Sequence, residues 1–294
     1  PGEYSASLGG NVNTNAGGSR VVRFGTMRAQ VMGVQAVLAD GSVITDLEGL
    51  PKQTAGPSLT QLIVGSEGTL AVVTAVRLRL VPWYRETAAA LIACDSLMHA
   101  VGLLPALRAL PDLDAVEVLL PEALKVACKY LGLTPPLDPA SAGAFVMVDC
   151  AGHRDPADDL MGLLADQQGV LAIGPQRDHL FAIRDHVTIA IGAKGKPLKL
   201  DVAVPVLHLD RLVRAVRQGI RDHAPGAELI VFGHLAEGNL HVNVLGAGDA
   251  SATLKELILQ TAIDLGGTIS AEHGIGVAKV DWLERLHGPA HVAA

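Results

Sequence analysis

Apolar residues recur along the chain with two periods, and the change of period predicts two structural regions. Up to Pro82 the apolar runs are short and alternate with polar positions, as in half-buried strands. The strands predicted in this region cover residues 31–39, 42–44, 59–64 and 69–80. Asp40-Gly41 separates the first two strands and is a strong hairpin-turn sequence, so the region is predicted to be rich in β-structure.

Beyond Pro82, strand-like runs alternate with segments whose apolar residues have helical spacing. Predicted strands cover residues 88–93, 115–120, 144–149, 170–173, 198–204, 229–232, 240–244 and 268–270, and predicted helices cover 96–110, 122–130, 156–168, 209–220 and 254–265. The last third has the β-α-β-β-α-β order of a ferredoxin-like unit, and the stretch before it is interpreted as a looser second copy. An α+β fold is predicted, with a first domain boundary at Pro82-Trp83.

Composition excludes several classes of protein. The 23 Lys and Arg stand against 30 Asp and Glu, a formal charge of −7, and the chain contains no basic run. A phosphate-backbone binder has the opposite balance, so no nucleic-acid partner is expected. The most apolar window, residues 88–107, is interrupted by Asp95, His99 and Pro105, so no transmembrane segment is predicted.

Cysteine usage bears on the compartment. Cys94, Cys128 and Cys150 lie far apart and form no C-x-x-C pair. Such a set predicts neither a disulfide framework nor a thiolate zinc site, and is typical of a reducing compartment. We expect a cytoplasmic location, or the mitochondrial matrix in a eukaryote.

The densest group of chemically active residues surrounds a Gly238-Asn239 turn. His234 and His241 flank that turn, and a hairpin there brings the two histidines towards each other. Glu272 and His273 follow the last predicted strand. Two imidazoles and one carboxylate are a recurring catalytic metal set, because they leave a coordination position open. His234, His241 and Glu272 are therefore candidate ligands and His273 a candidate base.

A purely structural interpretation of these residues stands beside the catalytic one. Histidines also cap turns and satisfy strand ends, and for a single histidine that explanation is the commoner. The joint pattern favours a site.

Two further features are candidate binding elements. Arg184 and Thr188 stand i, i+4 on a predicted helix and share a face, while Lys199 lies on the polar face of a strand, so the three are candidates to bind a carboxylate. A solvated surface pair explains them equally well.

Glycine-rich loops at 9–18 and 65–69 allow close backbone approach to a bound group, but match neither a dinucleotide fingerprint nor a P-loop.

Together, four segments resemble the FAD-linked D-2-hydroxyacid dehydrogenases of the vanillyl-alcohol-oxidase type, with a PCMH-type FAD domain. The segments are NTNAGG at 13–18, GSEGTL at 65–70, GH with GNLH within 233–241, and SAEHGIG at 270–276. They stand in the family's order along nearly the whole chain. The family includes D-2-hydroxyglutarate dehydrogenase, FAD-dependent D-lactate dehydrogenase and the glycolate oxidase flavin subunit.

The resemblance implies oxidation of a D-2-hydroxy acid, of the 2-hydroxyglutarate or lactate type, to the 2-oxo acid. In it, the hydride passes to flavin N5 and His273 takes the hydroxyl proton. The resemblance also implies a divalent metal, zinc in the better-known members. The metal ligands would be His234, His241 and Glu272, and the residues binding substrate would be Arg184, Thr188, Lys199 and Asn243. The flavin-lining residues would be Asn15, Ala16, Gly17, Gly18, Gly65, Ser66, Glu67, Gly68 and Thr69.

The resemblance also assigns the three domains. Residues 1–82 would be the C-terminal part of the FAD-binding domain, 83–270 a substrate-binding cap domain, and 271–294 the start of a segment returning to the FAD domain. The family's loop that grips the FAD pyrophosphate would precede residue 1, so the chain is expected to be a piece of a longer one. Poor FAD binding is expected of it, and tight stoichiometric binding in a flavin titration would refute this.

Two interpretations from other classes stay open. A flavin-free zinc hydrolase would use His234, His241 and Glu272, but it leaves the glycine-rich loops unexplained. An inactive fragment would bind metal alone. For the dehydrogenase, the electron acceptor is an electron-transfer flavoprotein, a quinone or a cytochrome, and the sequence does not distinguish among them.

Overall fold

The chain forms two compact units. The computed structural model describes residues 6–50 and 52–294; residues 1–5 and 51 of the predicted domain 1–82 lie outside the described residues. The larger unit comprises Tyr84–Ala271 with Leu283–Ala294, and the smaller unit comprises the described residues up to Trp83 with Glu272–Trp282. Among the described residues, no helix combines the length and apolar character needed to cross a membrane.

Helices and strands are mixed throughout, which confirms the predicted α+β class. The strands are β1 (Val31–Leu38), β2 (Val43–Thr45), β3 (Ala71–Leu78), β4 (Glu86–Cys94), β5 (Leu113–Leu119), β6 (Ala144–Gly152), β7 (Gly169–Ile173), β8 (Leu198–Ala203), β9 (Glu228–His234) and β10 (Asn239–Leu245). The α-helices are α1 (Leu8–Asn13), α2 (Val21–Phe24), α3 (Met27–Gln30), α4 (Leu59–Ile63), α5 (Leu97–Gly102), α6 (Leu104–Arg108), α7 (Pro121–Leu131), α8 (Ala157–Leu164), α9 (Pro175–Lys194), α10 (Leu209–His223), α11 (Ser251–Asp264), α12 (Gly276–Lys279), α13 (Leu283–His287) and α14 (Pro289–Ala293).

The smaller unit is built on an antiparallel sheet of order β2-β1-β3 with a small apolar core. The predicted strand at 59–64 is wrong: this segment is the helix α4, whose N-terminus is capped by Ser58 Oγ accepting from the Gln61 N–H at 3.2 Å. A short apolar run does not distinguish a buried helix from a strand. The predicted loop at Gly9-Gly10 is likewise the helix α1, capped by Ser7.

The larger unit is a seven-stranded antiparallel sheet of order β7-β4-β6-β5-β9-β10-β8. Its first four strands, taken as 1 to 4 along the chain, lie in the order 4-1-3-2 of a ferredoxin-like unit. The second unit repeats this order with β8, β9 and β10, and its fourth strand is reduced to a bridge between Ala203 and Thr268. Within this sheet, the two ferredoxin-like units join where β5 pairs with β9.

One face of this sheet is covered by α7 and α9, which share a continuous apolar core with it. Two arginines on α9, two turns apart, pair with buried carboxylates of the sheet. Arg177 donates to Asp149 through Nε and Nη2 at 2.9 and 2.8 Å, and Arg184 Nε donates to Glu117 at 2.6 Å. These pairs fix the helix against the sheet.

Candidate active site

The strand register gathers polar residues on one face of the larger unit's sheet. Directly opposed residues share a face, as do alternate residues of one strand. His234 on β9 lies between Glu117 on β5 and Asn239 on β10. The next rows pair His241 with Asp201 and Asn243 with Lys199, between β10 and β8. The register therefore places most of the predicted residues of this unit on one patch.

Two glycines allow this hairpin to form. Gly238 adopts φ +69°, and a Cβ there would lie 2.1 Å from the Val204 carbonyl oxygen. Gly233 precedes His234, and a Cβ there would lie 2.2 Å from the carbonyl oxygen of Asn239 across the strand pair. Any side chain at either position would push the hairpin strands or their neighbour apart.

Replacing Gly233 by alanine is therefore expected to destabilise the larger unit by roughly 3 kcal/mol, since the clash is with backbone. We expect thermal unfolding to move down by about 6–12 °C, as for a domain of this size. Gly226→Ala is the matched control, because a Cβ at Gly226 would meet no described atom within 4 Å. Equal unfolding midpoints for the two variants would contradict the expectation.

His234 is held in a buried ionic cluster. Its Nδ1 lies 2.6 Å from Glu117 Oε1, and Arg184 Nε donates to Glu117 Oε2, also at 2.6 Å. All three side chains are less than a tenth exposed. Sequence reasoning missed Glu117; its one visible signal is an acidic residue inside the apolar strand run at 115–120.

Glu117 is ionised in this cluster. Burial by itself would raise the pKa of its carboxyl group, but the charges of Arg184 and His234 outweigh burial and lower the pKa to about 2.

This lowered pKa predicts a specific loss of stability in acid. A carboxyl group whose pKa is lower in the folded protein stabilises the fold above its ordinary pKa of 4.5. That contribution, on the order of 3 kcal/mol at about 1.4 kcal/mol per pKa unit, is lost as pH falls from about 4.5 to about 2. Urea unfolding at stepped pH measures it. An unfolding free energy that stays constant over this interval would contradict the expectation.

His241 has its own carboxylate partner. Asp201 Oδ1 lies 3.5 Å from His241 Nδ1, and it also accepts from Asn239 Nδ2 at 2.8 Å. The other oxygen, Oδ2, accepts from the Ala271 N–H at 3.1 Å. Asp201 therefore contacts both the His241 ring and the backbone of Ala271.

The two histidines suit a divalent metal. Their ring centroids lie 5.4 Å apart with ring planes at 84°, and each Nδ1 faces a carboxylate, the arrangement that directs Nε2 towards a metal. Arg184 Nη2 is nearly equidistant from the two ring nitrogens of His234, at 3.5 and 3.4 Å. An atom so placed is off the lone-pair axis of Nε2, so Arg184 does not occupy that axis.

The turn beside the histidines carries two buried oxygens with no hydrogen-bond partner among the described residues, Glu237 Oε2 and Asn239 Oδ1. The amide of Asn239 is oriented unambiguously, because its Nδ2 donates to two acceptors. Burial raises the pKa of Glu237 to about 7. Unsatisfied buried acceptors are rare in proteins, and here they fit a cation or a hydrogen-bond donor.

The predicted substrate residues occupy different environments. Arg184 is buried and paired with Glu117, so the alternative of a solvated surface residue is wrong for Arg184. Thr188 lies one turn further along α9 and is half-buried, and Lys199 is exposed. Asn243 is buried, and its Nδ2 donates to the His241 carbonyl oxygen at 3.1 Å. Lys199 and Asn243 are direct cross-strand partners.

In the smaller unit, the two glycine-rich loops meet. The Gly65 N–H donates to Val12 O at 3.0 Å and the Glu67 N–H donates to Asn13 O at 2.8 Å. Asn15 adopts φ +50°, and its Oδ1 accepts from the Arg28 N–H at 2.8 Å. These bonds bring together the loops in which the flavin-lining residues are predicted. Asn13 Oδ1 and Ser66 Oγ are buried there without a hydrogen-bond partner in the described part of the chain.

Glu67 connects the glycine-rich loop at 65–69 to the segment that follows Glu272. Its two carboxylate oxygens accept from the Ile275 and Gly276 N–H groups at 2.7 and 2.9 Å. Gly274 adopts φ +75°, and a Cβ there would lie 2.5 Å from Glu67 Oε1. The carboxylate predicted to line the flavin therefore fixes the backbone just after the exposed His273.

Two sequence-family models match this chain. A family model described as "FAD linked oxidases, C-terminal domain" matches residues 84–294, and one described as "FAD binding domain" matches residues 1–46. The mitochondrial D-2-hydroxyglutarate dehydrogenase of Bos taurus is 34% identical over 295 residues, which cover 95% of this chain and 53% of that protein. The chain spans about half the length of this relative.

One further relative and one solved structure are also similar to this chain. An uncharacterized FAD-linked oxidoreductase of Mycobacterium tuberculosis (strain ATCC 25618 / H37Rv) is 34% identical over 313 residues, covering all of this chain and 66% of that protein. A solved p-cresol methylhydroxylase with substrate bound aligns with a TM-score of 0.67 at 15% identity, covering 95% of this chain and 63% of that one. This likeness confirms the predicted PCMH-type fold.

Proposed function

The chain belongs to the FAD-linked oxidases, whose C-terminal domain its residues 84–294 match, and on that premise we propose that it carries the substrate- and metal-binding part of a flavin-dependent D-2-hydroxyacid dehydrogenase. The proposed reaction is oxidation of D-2-hydroxyglutarate to the 2-oxo acid. The bovine D-2-hydroxyglutarate dehydrogenase supports this substrate class.

The observation that carries the proposal is the pair of histidines on one sheet face, each with a carboxylate at Nδ1. Such carboxylate–histidine pairs orient metal-binding imidazoles and raise their basicity. We propose His234, His241 and Glu272 as ligands of a divalent metal, with zinc as the preferred ion. Histidine–carboxylate sets leave a coordination position open for a substrate oxygen.

The chain's residues then have distinct proposed roles. When bound, FAD supplies the hydride acceptor at N5, and the metal polarises the substrate hydroxyl and lowers its pKa. His273 takes the hydroxyl proton as general base. Residues that hold substrate and cofactor in a reactive orientation make the transfer effectively unimolecular. For the flavin we propose Asn15, Ala16, Gly17, Gly18, Gly65, Ser66, Glu67, Gly68 and Thr69.

We propose a dicarboxylic substrate in preference to lactate or glycolate. Arg184, Thr188 and Lys199 supply two cations and a hydroxyl group, more donors than a monocarboxylic acid uses. Arg184 offers a planar fork that suits a carboxylate, and Lys199 offers an exposed point charge. Asn243, opposite Lys199, contacts the substrate or supports the strand that carries His241.

The reduced flavin must pass its electrons on, and we propose an electron-transfer flavoprotein, a quinone or a cytochrome as acceptor. We also propose a reducing compartment, because Cys94, Cys128 and Cys150 are buried free thiols. The bovine relative is named as a mitochondrial protein, and the mitochondrial matrix is a compartment of that class.

The visible spectrum of the purified chain, supplied with FAD and zinc, tests the proposed reaction under anaerobic conditions. We expect the flavin absorption to bleach with D-2-hydroxyglutarate, and to a smaller extent with D-lactate or glycolate. Ester or amide turnover without a change in the flavin would favour the hydrolase. A bound flavin that none of these acids reduces would contradict the proposal. If FAD is not retained, calorimetric titration of the zinc-loaded chain with the three acids ranks the same substrates.

A further inference from the structure

We propose that Glu117 is a positioning residue that joins the metal half of the site to the substrate half. In this proposal, one oxygen of its carboxylate orients His234 and the other orients Arg184. The inference rests on the proposed function, because it takes His234 as a metal ligand and Arg184 as a carboxylate-binding residue.

The geometry assigns each oxygen of Glu117 a separate partner. Oε1 lies 2.6 Å from His234 Nδ1, and Oε2 accepts from Arg184 Nε at the same distance. Strand register sets the first contact, since Glu117 and His234 are direct cross-strand partners on β5 and β9. The second contact comes from the helix α9 above the sheet. Three elements that are distant in sequence thus meet on one carboxylate.

The contact with His234 has a chemical consequence for metal binding. Glu117 is fully buried, so its charge requires compensation from the two groups that face it. An imidazole that donates from Nδ1 to a carboxylate has its Nε2 lone pair available for a metal. Glu117 therefore selects the tautomer and the ring orientation in which His234 acts as a ligand.

The contact with Arg184 has a parallel consequence for substrate binding. A guanidinium group held through Nε has its plane fixed, so less conformational entropy is lost when its other donors bind a carboxylate. Arg184 also lies over the Phe232 ring, with Cζ 5.7 Å from the ring centroid. Loss of the Glu117 carboxylate would release the guanidinium group and the imidazole together.

The chain supplies a matched control on the same helix. Arg177 lies two turns before Arg184 and forms a two-point ion pair with Asp149, whose side chain is 1% exposed. Asp149→Asn therefore removes the charge of a buried carboxylate–arginine pair of the same unit without altering a proposed metal ligand.

The test compares Glu117→Gln with Asp149→Asn in the flavin-free chain. Zinc affinity is measured by competition with a chromophoric chelator, D-2-hydroxyglutarate affinity by calorimetry on the zinc-loaded chain, and folding by thermal unfolding. We expect Glu117→Gln to weaken zinc binding by about 10- to 100-fold, as for other carboxylates that orient a ligand histidine, and to weaken D-2-hydroxyglutarate binding as well. Asp149→Asn is expected to lower the unfolding temperature and to leave both affinities within about twofold.

A second variant covers a failure of Glu117→Gln to fold. Glu117→Asp keeps the charge but shortens the side chain by one methylene, so it cannot hold both partners at their present distances. With cobalt(II) in place of zinc, the visible absorption bands of this variant are expected to differ from those of the wild-type chain. A merely structural role for Glu117 would leave these bands unchanged.

The outcomes separate the inference from the proposed function. Wild-type zinc affinity in both Glu117 variants, with loss of stability alone, would overturn the inference and leave the proposed function intact. A wild-type chain that binds no zinc would overturn both. Weakened zinc binding confined to the Glu117 variants supports the inference.

Discussion

Replacing His273 by asparagine is expected to slow flavin reduction by D-2-hydroxyglutarate by roughly 10²- to 10⁴-fold, the usual contribution of a general base. Asparagine keeps a polar side chain of similar reach but cannot accept the hydroxyl proton at neutral pH. Zinc affinity should be unchanged, because His273 is not among the proposed ligands. Stopped-flow absorbance of the zinc-loaded chain in excess FAD measures the rate, and chelator competition measures the zinc affinity.

His179→Asn is the control for this variant, since His179 is an exposed histidine on α9 outside the proposed site. It should reduce flavin at the wild-type rate. Normal reduction by His273→Asn would remove His273 from the role of base, and combined loss of reduction and zinc would make it a ligand instead.

Replacing His241 by alanine is expected to abolish stoichiometric zinc binding. Removal of a direct ligand should lower the zinc affinity by more than the roughly 10- to 100-fold expected for a residue that only orients a ligand. Flavin reduction should fall with it, because the substrate hydroxyl is no longer polarised. Metal content after dialysis against limiting zinc is the direct measurement.

The matched control for His241→Ala is His208→Ala in the same unit. His208 is half-buried, and its Nδ1 lies 3.0 Å from the Leu265 carbonyl oxygen. It should retain zinc while losing some stability. One equivalent of zinc retained by His241→Ala would contradict the proposed ligand set.

Local sequence signals predicted the hairpin but not its supporting groups. The Gly238-Asn239 signal between two apolar runs was sufficient to place His234 and His241 on neighbouring strands, although the turn covers residues 235–238 and Asn239 is the first residue of β10. Glu117 and Asp201 escaped prediction because each belongs to a strand far away in sequence, and strand order is not encoded locally. Their only local signal was a charged residue within an apolar strand, which costs free energy unless the charge is paired.

The errors in secondary structure also have physical causes. The short apolar run at residues 59–64 is compatible with either a strand or a helix. The N-terminal cap at Ser58 favours the helix. The helix predicted at 96–110 is divided into α5 and α6, because Pro105 supplies no N–H within a continuous helix. The part played by Glu67 in fixing residues 275 and 276 spans more than two hundred positions, a distance that no local pattern covers.

The join between the two ferredoxin-like units has a consequence for how this sheet can evolve. β5 and β9 are paired at three register positions, whereas β4 and β6 are paired at nine. The Glu117–His234 pair lies at one of those three positions. These two side chains therefore also help to hold the two ferredoxin-like units together. A substitution at this pair would affect both the proposed reaction and the packing of the two ferredoxin-like units. We therefore expect amino-acid substitutions in this family to accumulate more slowly at the β5–β9 pairing than in the outer strands. This holds even for positions that do not contact a substrate.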